Sequence, residues 1–109
     1  MQDERLSTER AATVAQLTGL RRDFAGMVDA SEASNADDEH DPEGATIGFE
    51  RAQLAVLIAQ AEQRLADLDG ALEQVRAGSY GTCAVCGGPI AAARLEARPQ
   101  ARTCIGCAS

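Results

Sequence analysis

An all-α fold is what this sequence predicts: two long helices packed antiparallel as a coiled-coil hairpin, then a small C-terminal module built on four cysteines. Three observations predict it. Two stretches repeat apolar residues on alternating steps of three and four. A polar break with a helix-start signature separates them. Two Cys-x-x-Cys pairs stand near the end of the chain.

The first stretch places Leu6, Thr13, Leu17, Leu20, Phe24 and Met27 on one face, with Arg10 standing where an apolar residue is missing. The second places Ile47, Leu54, Ile58, Ala61, Leu65, Leu68, Leu72 and Val75 on one face, with Arg51 as its exception. Steps of three and four are the seam of a coiled coil, in which each apolar row buries itself against a partner helix. The Leu, Ala, Gln, Glu and Arg of the second stretch are good helix formers. Between the two, Ser-Glu-Ala-Ser-Asn-Ala-Asp-Asp-Glu-His-Asp at 31–41 keeps no apolar period. Asp41-Pro42-Glu43 then starts a helix: Asp accepts hydrogen bonds at the N-cap, Pro fits the first helical position, and Glu suits the positive end of the dipole. Gly78 is a stop, because a glycine can take the left-handed conformation that ends a helix. The expected helices are therefore about 6–32 and about 42–77. A short connection makes them antiparallel neighbours. The expected organisation is a hairpin over 1–78, with an acidic tip near 33–43, and a cysteine module over 79–109.

Size and charge narrow the function. At 109 residues, with Phe24, Phe49 and Tyr80 as the aromatics and no Trp, the chain has little bulk for a wide core. The cysteines are the candidates for holding it together. Seventeen acidic and ten basic residues, all ten of them Arg, leave a net charge of −7. Coating nucleic acid or an anionic membrane needs the opposite sign. The charge is also uneven: Asp29 to Glu50 holds eight acidic residues and no Arg, whereas residues 81–109 hold one acidic residue and three Arg. No apolar run approaches the roughly 20 residues of a spanning helix. The opening Met-Gln-Asp-Glu-Arg has neither the basic nor the apolar segment of a signal peptide, so the expected compartment is the cytoplasm.

The cysteines read Cys83-Ala-Val-Cys86, seventeen residues, then Cys104-Ile-Gly-Cys107. This is the spacing of a four-thiolate metal site. Two residues between cysteines let a tight knuckle aim both sulfurs at one ion, and two knuckles complete a tetrahedron. Gly87, Gly88 and Gly106 supply small residues for those turns. One structural Zn2+ is the expected cofactor, since four sulfur ligands leave no position for a reacting water. Iron in the same geometry and a pair of disulfides are the alternatives.

Around these cysteines, Tyr80-Gly81-x-Cys83-x-x-Cys86-Gly87-x-x-Ile90, then Arg94-Leu95-x-Ala97-x-Pro99, then Cys104-x-x-Cys107, resembles the zinc finger of the DksA/TraR family over residues 78–109. The resemblance implies a bacterial regulator that binds RNA polymerase rather than DNA, with Cys83, Cys86, Cys104 and Cys107 as zinc ligands. It implies that the hairpin enters the secondary channel, the channel that Gre-type cleavage factors also use. There an acidic tip would approach the active centre and modulate transcription initiation without being an enzyme. Carried onto this chain, the tip residues are Asp38, Glu39, Asp41 and Glu43. Asp38-Glu39-His40-Asp41 supplies the family's Asp-x-x-Asp, but Glu43 stands where the family has Ala. A second register starts at Asp41-Pro42 and brings Ala45 near the Ala position while losing the second Asp. The family usually continues into a helix after the last cysteine, and here Ser109 follows Cys107 by two residues.

Other readings stand beside these. A zinc-stabilised coiled coil could act as a structural or adaptor protein with no polymerase contact. A self-contained hairpin is expected to be monomeric, which separates it from an oligomerising seam. Carboxylates in a tip have no water-excluding pocket, so catalysis is not expected of them. His40 reads as a solvated loop residue. Arg94, Arg98 and Arg102 read as solvated charges, as ion-pair partners of the helices' acids, or as contacts to a polymerase rim; without a recognition helix they make a poor DNA footprint. Phe49 lies off the seam, as a partner contact or as a cover for the tip.

Overall fold

The computed structural model describes residues 2–34 and 42–108; the side chains of 30–34 and 42–45 lie outside that description, as do Asp37, Asp38, Glu39, His40 and Asp41 of the expected tip. Three helices make up the described fold: α1 over Gln2–Ser34, α2 over Pro42–Ala77 and α3 over Ala92–Ala97. No strand forms among the described residues; Thr82 and Pro89 make one isolated antiparallel bridge. The chain divides into two compact units, one of Met1–Val14 with Gln63–Ser109 and one of Ala15–Glu62.

α2 occupies the span read from its cap signals. Its end is a Schellman motif: Gly78 N–H donates to the Val75 carbonyl at 3.2 Å and Ser79 N–H to the Gln74 carbonyl at 2.8 Å. Gly78 takes φ 76° to do this, a conformation that costs a residue with a Cβ on the order of 1–2 kcal/mol. α1 is longer than its apolar period suggests. Asp3 and Glu4 lie in its first turn, where acids suit the dipole, and its C-terminal end reaches Ser34. Helix-forming residues extend a helix whether or not they face a partner, so the seam underestimates both ends.

Every seam position named above is buried or half-buried. In the unit of Met1–Val14 with Gln63–Ser109, Leu6 and Leu68 are fully buried and join Ala71 and Leu72 in a core, with Val75 and Tyr80 packed against it. Thr13 sits in the seam at 3% exposure because its hydroxyl donates to the Glu9 carbonyl at 2.8 Å, satisfying the buried polar atom within its own helix. Arg10, the gap in the first apolar row, turns outward and pairs with Asp69 at 2.5 Å; Glu9 accepts from Arg64 at 2.9 Å. In the unit Ala15–Glu62, Leu17 and Ala61 are buried, and Arg21 of α1 stands 3.6 Å from Glu62 of α2. Arg22, Asp23, Gly26 and Met27 share a groove with Glu50, Gln53, Leu54 and Leu57. Within this unit numbers rise along α1 as they fall along α2, the antiparallel pairing of a hairpin.

Candidate metal centre

The cysteine module is built by three short devices. Gly81 takes φ 88°, and the Ile90 N–H donates to its carbonyl at 2.8 Å, so residues 81–90 double back. At the turn, Cys83 N–H donates to the Gly88 carbonyl at 2.8 Å and Gly87 N–H to the Cys83 carbonyl at 3.0 Å. Gly87 adopts φ 74°, whereas Gly88 and Gly106 keep ordinary backbone angles, so of the three knuckle glycines Gly87 is the one whose backbone demands glycine. The second knuckle closes with Cys107 and Ala108 N–H groups both donating to the Cys104 carbonyl at 3.0 Å.

The four ligand sulfurs lie within 4.8 Å of one another. Cys86 Sγ and Cys104 Sγ, one from each knuckle, are 3.8 Å apart. A Zn–S bond of about 2.3 Å in a regular tetrahedron requires sulfurs about 3.8 Å apart, and a disulfide requires about 2.0 Å. The spacing therefore fits one shared ion and not a Cys86–Cys104 bridge. Backbone donors surround the sulfurs. Val85 and Cys86 N–H groups point to Cys83 Sγ at 3.4 and 3.5 Å, and Gly88 N–H points to Cys86 Sγ at 3.4 Å. Such bonds favour the thiolate and orient it for the metal. The Cys83 thiol is held down to about 6, chiefly by backbone donation from Cys86 and then from Cys104. The Cys107 thiol is pushed up to about 12, first by its hydrogen bond with Cys104 and then by those with Cys83 and Cys86. Four thiols crowded together cannot all ionise without a cation between them, so a dication supplies what the cluster lacks.

Cys83 is 2% exposed and Cys86 is exposed, so the site has a protein side and a solvent side. The protein side is held by contacts the spacing did not reveal. The six-residue α3 lies between the knuckles. Arg94 Nε donates to the Thr103 carbonyl at 2.9 Å, fastening α3 to the second knuckle. Ala84 N–H donates to the Arg102 carbonyl at 2.8 Å, joining the two knuckles. Tyr80 Oη donates to the Pro99 carbonyl at 2.9 Å, and the Arg5 guanidinium donates to the Glu96 carbonyl. Burial raises the Tyr80 phenol above its ordinary value, with the Arg5 charge opposing the rise.

The ion pairs among the described residues leave out Arg94, Arg98 and Arg102, so of the readings given above these residues do not show the pairing with the helices' acids. Arg94 is spent on Thr103, and the Arg102 guanidinium lies over the Gly70 backbone. With Asp67 and Gln100 they line a cleft of about 170 Å³. Of the tip residues, Glu43 falls in the first turn of α2 with its side chain undescribed; Asp38, Glu39 and Asp41 lie outside the described residues. No helix among the described residues is long and apolar enough to cross a membrane.

Residues 78–109 match the prokaryotic dksA/traR C4-type zinc finger. Among solved structures, the chain is similar to transcription factor DksA2 from Pseudomonas aeruginosa, at 26% identity and a TM-score of 0.55, over 96% of this chain and 78% of that one. A comparison with curated proteins returned no match. The clustered thiols and the finger match together indicate one structural zinc.

Proposed function

We propose that the chain is a DksA/TraR-type transcription regulator that binds RNA polymerase through the secondary channel and modulates initiation; the finger match over 78–109 and the likeness to DksA2 support this reading. One observation carries this reading: the likeness to a transcription factor extends over 96% of the chain, so it includes both long helices as well as the finger. The chain then divides by role into a hairpin over 1–78 and a finger over 79–109.

In this reading Cys83, Cys86, Cys104 and Cys107 are the zinc ligands. The ion does no chemistry; it converts metal-binding free energy into folding of the finger, and Tyr80, Arg5 and Arg94 fasten the folded finger. The effector is the acidic tip, Asp38, Glu39, Asp41 and Glu43. Eight acids and no Arg between Asp29 and Glu50 concentrate negative charge where the hairpin turns. Such a group can approach a bound Mg2+ or basic residues inside a channel whose walls exclude water, where charge interactions are stronger than in solution. Its charge would then shift the stability of promoter complexes.

The test compares the intact protein with Asp38→Ala/Asp41→Ala on the RNA polymerase of the source organism, reading affinity and open-complex lifetime together. Wild type should bind and change the lifetime; the double variant should bind and leave the lifetime as it is without the factor. Equal effects of both proteins would remove the tip from the mechanism, and no binding by either would remove the polymerase reading.

A further inference from the structure

One helix face in the acidic unit has a composition that the hairpin itself does not need. Phe49, Ala52, Gln53, Val56, Ala59 and Gln60 of α2 are all exposed and recur on steps of three and four, so they form one stripe. Phe49 is 65% exposed and Val56, two turns on, is 56% exposed; Leu57 borders the stripe at 44%. A quarter of the chain is charged, yet this face carries no charge from Phe49 to Gln60. The charges of the same stretch flank the stripe: Glu50 lines the groove against α1, whose edge Gln53 and Leu57 share, Glu62 faces Arg21, and Arg51 is half-buried. The solvent face of a two-helix coiled coil ordinarily carries charged residues, which keep it soluble. A single exposed apolar residue is commonplace. An aromatic and a β-branched residue in register, on a charge-free stripe bounded by charges, have instead the anatomy of an interface: an apolar anchor, uncharged hydrogen-bonding neighbours and a charged rim.

The charge of the unit selects the occupant. Residues 15–62 hold ten acidic and three basic residues, a net of −7. A second copy would bring a second −7 against the first, and nucleic acid or an anionic membrane would add phosphates. A protein surface with an apolar patch rimmed by Arg or Lys is the complement. We propose that this stripe of α2 is the docking face of the hairpin for such a surface, and that RNA polymerase core supplies it, a step that rests on the function proposed above.

The experiment uses the intact protein and purified RNA polymerase core from the source organism. Affinity is measured for wild type and for Phe49→Gln/Val56→Gln, at low and high salt, alongside circular dichroism. Both side chains are exposed, so the variant should keep its helical signal. The variant should bind at least about tenfold more weakly, Phe49→Leu should stay within about threefold of wild type, and wild-type affinity should fall with salt. Wild-type binding with an unchanged Phe49→Gln/Val56→Gln affinity overturns the stripe and leaves the polymerase reading standing. Absence of wild-type binding overturns the polymerase reading and the stripe's assignment with it. A wild-type dimer in sedimentation that the variant abolishes assigns the stripe to a second copy and overturns the basic partner.

Discussion

The unit of Met1–Val14 with Gln63–Ser109 and the unit Ala15–Glu62 are made from the same two helices and differ in nearly everything else. The first holds seven acidic and seven basic residues and is neutral; the second carries the whole net charge of −7. Among the described residues, the first has three ion pairs at 2.5–3.1 Å, two of them between α1 and α2, and the second has one at 3.6 Å. In the first, Leu6, Leu68, Ala71 and Leu72 are buried and Tyr80 covers them; in the second, Leu20, Phe24, Met27, Ile47, Leu54 and Ile58 stay half-buried. Two helices alone leave both flanks of their seam open to water, and a third element closes one. The difference is a division of labour: buried apolar packing concentrates where the finger packs, and net negative charge concentrates in the unit without it.

The largest effect should come from the metal. Chelation, or Cys104→Ser, removes a structural zinc whose binding is worth about 10–16 kcal/mol in isolated finger peptides at neutral pH. Metal analysis should show about one equivalent in wild type and none in the variant, with a lower melting temperature. Acid should do the same in a definite direction. Zinc holds thiolates and protons compete for them, so zinc is retained at high pH and lost as pH falls. In the free cluster Cys107, pushed up to about 12, takes up its proton first and Cys83, held down to about 6, takes it last. Zinc content indifferent to acidification would contradict a thiolate site.

Next in size is the contrast in burial. Leu6→Ala or Leu68→Ala should cost about 2–5 kcal/mol, the usual range for a leucine deleted from a closed core. Ile58→Ala, from a seam open at its flanks, should cost less than either. Denaturant titration of the three variants checks the order, and an equal loss at Ile58 would erase the comparison. Gly78→Val should cost on the order of 1–2 kcal/mol, because a β-branched residue cannot hold φ 76° without strain and the Schellman bonds depend on it. The smallest effect has the opposite sign. A Cβ added at Gly26 or Gly48 meets nothing within 4 Å. Each Gly→Ala change should therefore stabilise the acidic unit by about 0.5–1 kcal/mol, which thermal melting would register.

What was legible in the sequence follows from what leaves a period or a cap. α2 was readable to its ends because Asp41-Pro42 and Gly78 mark them. The seam was readable because burial selects apolar side chains every three or four residues. The four cysteines were readable because tetrahedral geometry fixes their spacing. α3 was not, because six residues hold no full period, although its run of Ala, Arg, Leu and Glu before Pro99 is a composition signal for a short helix. Arg5 and Tyr80 were not readable as fasteners, because their partners are backbone carbonyls of Glu96 and Pro99, and a carbonyl has no residue identity to recognise. Phe49 stood between two readings in the sequence, and its 65% exposure is what directs attention to the outer face of α2.

Occupancy of the polymerase secondary channel by the hairpin, proposed above, can be tested by competition. RNA polymerase core would be saturated with a Gre-type cleavage factor and titrated with the intact protein, following release of the labelled factor. Binding should be mutually exclusive, with the labelled factor displaced in proportion to the protein bound. Simultaneous binding of both would contradict it.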